Sequence, residues 1–313
     1  MNKLQLTFNA LAFILIFTVA PAFSQKNSAG EIQVGYELLK TENFDSAVLA
    51  FSNILRAEAD NVQARLGLAI ALIGIDKYQE ASREIAKLLA RTPKDPKLLE
   101  MAARSFWRQR RFTEAENVLK RRLELGNTPG ELWALYGDVL EARKKTIDAV
   151  FAYEKAVSLN PDSLNLRYAL GSLYWKRIRY DDAEREFLEI LRRRPNEPRA
   201  SFNLGDIYLS KGEAAKSIPY LETAWKSFSG EYDTQFALGR AYLATNNYEK
   251  AIAHLDSAVK LRPEIAEGFY QLAIALQKSG RLNEAKLAFE TTQRLQKARR
   301  DSETVPTSKK DNR

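Results

Sequence analysis

Most of the side-chain constellations that carry out reactions are missing from this chain. It has one histidine, His254, and no cysteine. The His-Glu-x-x-His zinc site needs a second imidazole, and zinc clusters, disulfides and cysteine nucleophiles all need thiols. No phosphate-cradling glycine loop, dinucleotide fingerprint or G-x-S-x-G elbow occurs. His254 stands two residues before Asp256 and reads as a solvated residue. The 40 Asp and Glu are plentiful, but nothing singles out the facing pair that glycoside hydrolysis requires. These residues predict no catalytic site, no cofactor and no metal site. What the side chains can offer is recognition: rings and guanidinium groups recurring at fixed intervals.

The interval is 34 residues. A small residue followed four positions later by a large apolar one appears as Ala47/Phe51, Ala81/Ile85, Ala115/Leu119, Ala149/Tyr153, Ala183/Phe187, Ser217/Leu221, Ala251/Leu255 and Ala285/Phe289. Twelve positions before each small residue stands Gly or Ala, and proline closes four units at Pro93, Pro161, Pro195 and Pro263. The fourth unit carries Trp133, Tyr136, Gly137, Leu140, Ala149, Tyr153, Ala156 and Pro161. This pattern resembles the tetratricopeptide repeat (TPR) family, W-x2-L-G-x2-Y followed by A-x3-F, A and P. Units then begin near residues 28, 62, 96, 130, 164, 198, 232 and 266. The resemblance implies an all-α fold, a right-handed solenoid of eight helix-turn-helix repeats over residues 25–299. One pair of helices cannot bury its apolar face alone, so neighbours must stack. Gly212 and Gly280 are expected in two of the turns. Arg122 and Asn127, where the pattern has Ala and Pro, and Pro219 inside a helix are expected weak points, with a bend between repeats six and seven.

In this family the first helices line a concave groove, chiefly through unit positions 2, 5, 9, 12 and 13. Carried over, position 5 holds Tyr168, Phe202, Phe236 and Tyr270 in the C-terminal half, and position 12 holds Trp107 and Trp175. Such rigid rings suit a peptide or helix, or they pack within the solenoid. Position 9 places Arg104 beside Asp138 and Asp206 beside Arg240 on neighbouring units. They read as register-holding ion pairs, or the two arginines offer guanidinium forks to a partner. Some members of the family hold a C-terminal carboxylate with Lys at position 5 and Asn at position 9. Here no position-5 residue is lysine and Asn203 is an isolated match, which argues against that role.

The chain carries 48 Lys and Arg against 40 Asp and Glu, a formal charge of +8. Basic residues cluster at Arg104–Arg111, Lys120–Arg122, Arg143–Lys145 and Arg192–Arg194. They read as solvated helix ends, with attraction to anionic lipid, cell-wall polymer or an acidic protein as the alternative. Acidic residues interrupt every basic stretch, so no nucleic-acid partner is expected. Residues 1–24, with Lys3, an apolar core over 10–20 and Ala22-Phe23-Ser24, read as a secretory signal, against an N-terminal membrane anchor. The polar residues 300–313 are expected to be a disordered tail. The sequence therefore predicts an exported, periplasmic or extracellular, non-catalytic scaffold with a protein or peptide partner, helping assemble or regulate an envelope complex. The alternative is an accessory protein that binds anionic polymer, polysaccharide or membrane through basic patches.

Overall fold

The computed structural model describes residues 28–304, all in helices and their short connections. The chain divides into two compact bodies between Asn160 and Pro161. In the first body the helices pair as α1 (Ser28–Lys40) with α2 (Phe44–Ala57), α3 (Val62–Gly74) with α4 (Tyr78–Arg91), α5 (Pro96–Arg108) with α6 (Phe112–Glu124), and α7 (Gly130–Ala142) with α8 (Thr146–Leu159). The second holds α9 (Leu164–Lys176) with α10 (Tyr180–Arg193), α11 (Pro198–Ser210) with α12 (Ala214–Phe228), α13 (Tyr232–Ala244) with α14 (Tyr248–Leu261), and α15 (Ala266–Lys278) with α16 (Leu282–Thr304). First helices thus start every 34 residues, at 28, 62, 96, 130, 164, 198, 232 and 266. The expected signal segment lies outside the described residues. Among the described residues, no helix is long and apolar enough to cross a membrane.

Local chemistry explains where each helix starts and stops. Asn61, Asp95 and Glu197 cap first helices by accepting main-chain N–H bonds, and Pro96 and Pro198 open two of them with φ already set. Every first helix ends in the same device. Residue 15 of each repeat is left-handed: Glu42, Asp76, Arg110, Lys144, Ile178 and Asn246 at φ 58–60°, Gly212 at 77° and Gly280 at 84°. The next N–H then reaches back five residues, from Asn43 to Leu38, Lys77 to Leu72 and so on to Arg281 to Leu276, at 2.8–2.9 Å. This six-to-one bond satisfies a carbonyl the helix end would otherwise orphan.

Packing follows from the small-over-large pattern. Ala47, Ala81, Ala115, Ala149, Ala183, Ser217 and Ala251 are fully buried, and so are Phe51, Ile85, Leu119, Phe187, Leu221 and Leu255 four residues on. Leu221 joins Leu238, Leu255, Leu272 and Leu276 in the core of the second body. Leu99, Leu119 and Leu132 do the same across α5, α6 and α7 in the first.

The structure adds detail at three of these expected places. Arg122 is no weak point. It is buried, pairs with Glu100 at 2.8 Å, and donates to the carbonyls of Gly126 (3.1 Å) and Asn127 (3.4 Å), so it closes the third repeat in place of Ala and Pro. Pro219 lies inside α12, which runs unbroken to Phe228. The junction that follows is clasped by buried Gln235, which donates to the Ser229 carbonyl at 2.7 Å. The last helix continues to Thr304, past residue 300 where the polar tail is expected to begin. Residues 305–313 lie outside the described residues.

Candidate functional site

The candidate recognition face is built from first helices, whose positions 5, 9 and 12 are spaced by three and four residues and so share one side of a helix. In the second body this face gathers the expected rings. Tyr168 stands edge-on to Phe187 at 5.7 Å and accepts a hydrogen bond from Asn203 Nδ2 at 3.0 Å. Phe202 and Phe236 lie half-buried against the core cluster. Phe236 is stacked on Tyr232 at 5.4 Å and lies under the Arg240 guanidinium at 5.7 Å. Of the rings expected on this face, Trp175 (38% exposed) and Tyr270 (42% exposed) are the most open to solvent. Tyr270 meets Phe289 edge-on at 6.1 Å. In the first body, Trp107 is half-buried against the core, with Arg108 over its ring at 5.3 Å. Arg104, also half-buried, stands one turn away from it on α5.

The two ion pairs expected at position 9 are not formed. Asp138 accepts the Tyr153 hydroxyl instead, and Asp206 accepts the Trp175 indole N–H at 2.9 Å. Burial raises the Asp206 carboxyl above its ordinary range, opposed by the Trp175 bond and by the Arg240 charge. Asp138 is raised for the same first cause. Each carboxylate thus meets a neutral donor on a half-buried surface. Arg240 spends its guanidinium on Phe236. The physical reason is geometric: equal positions on successive repeats look adjacent in sequence, but a ring or hydroxyl reaches each carboxylate first.

His254 is also corrected. It is half-buried, stacked on Tyr242 at 5.6 Å and edge-on to Trp225 at 5.8 Å, with Nδ1 2.7 Å from Gln235 Oε1. Burial lowers its pKa. It is a packing residue joining repeats six and seven. Among the described residues, no three acidic or histidine side chains converge to hold a metal ion.

The sequence reading missed one feature altogether, a carboxylate with three cations on it. Glu116 on α6 is 1% exposed and receives Lys120 Nζ at 2.8 Å, Lys145 Nζ at 2.8 Å and the Arg143 guanidinium. Burial alone would raise this carboxyl, but the lysine hydrogen bonds outweigh it and hold it down at about 2. The runs Lys120–Arg122 and Arg143–Lys145 were visible; that both fold onto one acid was not.

Family profiles described as tetratricopeptide repeat match residues 38–105, 100–163 and 168–232, and a TPR repeat profile matches 239–280. The chain belongs to the tetratricopeptide repeat family. Among its TPR relatives, anaphase-promoting complex subunit 3 of Schizosaccharomyces pombe is 20% identical over 240 residues, 77% of this chain and 36% of the relative. Cellulose synthase operon protein C of Xanthomonas axonopodis pv. citri is 25% identical over 268 residues, 79% of this chain and 17% of the relative. The chain spans less than half the length of each of these curated relatives. The solved C-terminal part of a TPR repeat-containing protein from Cytophaga hutchinsonii matches with a TM-score of 0.57 at 17% identity, over 72% of this chain and 93% of that one. That likeness speaks to the fold. TPR proteins act in general as non-catalytic scaffolds for protein partners, and these relatives support a protein-interaction scaffold for this chain.

Proposed function

We propose that this TPR protein is an exported scaffold whose first-helix face in repeats five to eight holds a peptide or helix of a partner protein, during assembly or regulation of an envelope complex. The observation that carries the reading is the open ring pair: Trp175 and Tyr270 remain 38% and 42% exposed on a face otherwise lined by half-buried Tyr168, Phe202 and Phe236. Large rings with few rotatable bonds gain contact area at little entropic cost, which suits them to anchor a partner. Asp206 and Arg240 flank them with one acceptor and one donor, enough to fix the orientation of a bound segment. That a relative is a subunit of a larger complex is in keeping with this role. Export is inferred from residues 1–24, and the envelope role follows from export.

The test is capture of envelope proteins on the full chain, with wild type beside a Trp175→Ala/Tyr270→Ala double variant. Cross-linking from a photoreactive residue at position 202 would identify which captured protein touches the face. The reading predicts one cross-linked partner, lost with the double variant and retained at high salt, since burial of rings is little screened. An unchanged set of captured proteins, or a partner released by salt alone, overturns it.

A further inference from the structure

The cluster on Glu116 has a charge it does not need for folding. Lys120, Arg143 and Lys145 share the one carboxylate and leave a local formal surplus of +2. Their side chains remain 52%, 28% and 37% exposed, while Glu116 beneath them is 2% exposed. The carboxylate thus gathers three cations at one spot from below, and their remaining N–H groups stay within reach of solvent. Lys145 is also the N-cap residue of α8, whose first turn receives no side-chain cap, so the positive end of the helix dipole adds to the same spot. Asp148, in that first turn, makes no ion pair with the three.

The same joint elsewhere in the chain shows what register alone requires. Glu116 and Arg143 are residue 21 of one repeat and residue 14 of the next. Between repeats two and three these positions are Ser82 and Gln109, a neutral pair with Nε2 donating to Oγ at 2.7 Å. Between repeats five and six they are Glu184 and Lys211, joined at 2.8 Å, with Asp181 also 2.8 Å from Lys211. That joint holds two carboxylates to one cation. A neutral pair or an acid-rich trio therefore holds register as well, and two unneutralised cations only add self-repulsion.

We infer that Lys120, Arg143 and Lys145 form a binding site for a phosphate-type dianion. Its charge equals the surplus, and its oxygens can take charge-assisted hydrogen bonds from a guanidinium and two ammonium groups already held in place. The site lies on the joint of repeats three and four and does not rest on the groove reading, so either can fail without the other.

The experiment is calorimetric titration of the full chain with inorganic phosphate and, separately, with tripolyphosphate, at constant sodium chloride. Each variant is checked for helicity by circular dichroism. Wild type is expected to saturate at one site per chain. Lys120→Ala, the most exposed of the three, is expected to weaken binding about tenfold, as for loss of one hydrogen bond to a charged group. Lys286→Ala, an exposed lysine on α16, is expected to bind as wild type. Saturation by inorganic phosphate identifies a free-ion site, and saturation by tripolyphosphate only identifies a phosphate chain; both uphold the assignment. Absence of saturable binding by either titrant overturns it, as does equal binding by Lys120→Ala and wild type, or equal loss in Lys286→Ala.

Discussion

Gly205→Ala measures how closely the two helices of a repeat approach. In an unconstrained helix the change would stabilise by about 1 kcal/mol, because alanine loses less backbone freedom on folding. In α11, a Cβ at residue 205 would stand 2.6 Å from Leu221 Cγ, 2.7 Å from its Cδ2 and 3.3 Å from the Ser217 carbonyl oxygen. Leu221 and Ser217 are both at 0% exposure, so neither can swing toward solvent. Relief requires driving Leu221 from its rotamer or moving α12 off α11. Overpacking of this kind costs about 1–3 kcal/mol. Offset by the propensity gain, the expected net loss is about 0–2 kcal/mol. Gly30→Ala is the control, since nothing lies within 4 Å of its added Cβ, and it should be neutral or slightly stabilising. The assay is urea unfolding followed by far-UV circular dichroism, with native-state hydrogen exchange because repeat arrays need not unfold as one unit. Protection should fall first in α11 and α12. If Gly205→Ala raises the urea midpoint as much as Gly30→Ala does, the close approach of α11 and α12 is not what requires glycine.

Other perturbations probe the turns and the buried charges. Ile178 is β-branched, left-handed at φ 60° and 71% exposed, so Ile178→Asn should raise the urea midpoint by an amount worth about 1 kcal/mol; a lower midpoint would show that the isoleucine contributes contacts the turn needs. Arg122→Ala strands Glu100 and the Gly126 and Asn127 carbonyls and should cost about 2–3 kcal/mol, read as a drop in thermal midpoint that Lys286→Ala does not produce. Glu116 has a folded pKa of about 2, below its ordinary value of 4.5, so its contribution is complete above pH 4.5 and is lost as pH falls through about 2. That contribution is on the order of 2 kcal/mol once screening through the exposed lysines is allowed for. Glu116→Gln should therefore be less stable at pH 7 and lose less stability between pH 4.5 and 2; parallel pH curves for the two proteins would refute the assignment.

How much of this was legible beforehand depends on which contacts repeat. Small-over-large pairs such as Ala183/Phe187 recur because two helix backbones must meet at the same height in every repeat. Their period alone therefore located each first helix. The left-handed residue 15 was legible only where glycine marks it, at Gly212 and Gly280. Glu42, Arg110 and Ile178 adopt the same conformation without a compositional sign, because the six-to-one bond that follows imposes it. Polar contacts were the least legible. Asp206 finds Trp175 and His254 finds Gln235, contacts spanning 31 and 19 residues that no period predicts. Of the candidate face, the ring types were readable from the sequence, whereas their exposure was not. Tyr270 stands open while Phe202 and Phe236, at the same position of their repeats, sink against the core.

An uninterrupted 34-residue period raises a difficulty that these polar contacts resolve. With identical spacing throughout, a helix pair could dock one repeat out of place with little steric penalty, and neighbour-only stacking offers no distant contact to correct it. Residues 21 and 14 of adjoining repeats differ from joint to joint. They are Val48 and Ile75 at the first, Ser82 and Gln109 at the second, Glu116 and Arg143 at the third, and Glu184 and Lys211 between repeats five and six. Skipping one repeat in the first body would set Arg143 against Ser82 and away from Glu116, or Val48 against Gln109. The former leaves a buried carboxylate without its cations, and the latter leaves the amide without its hydroxyl partner. Loss of one member of a buried charged pair costs about 3–5 kcal/mol, and an unpaired buried polar group about 1–3 kcal/mol. Either penalty is large beside the 5–15 kcal/mol stability of a typical domain. The apolar pattern therefore sets how repeats stack, while the buried polar pairs set which repeat stacks on which.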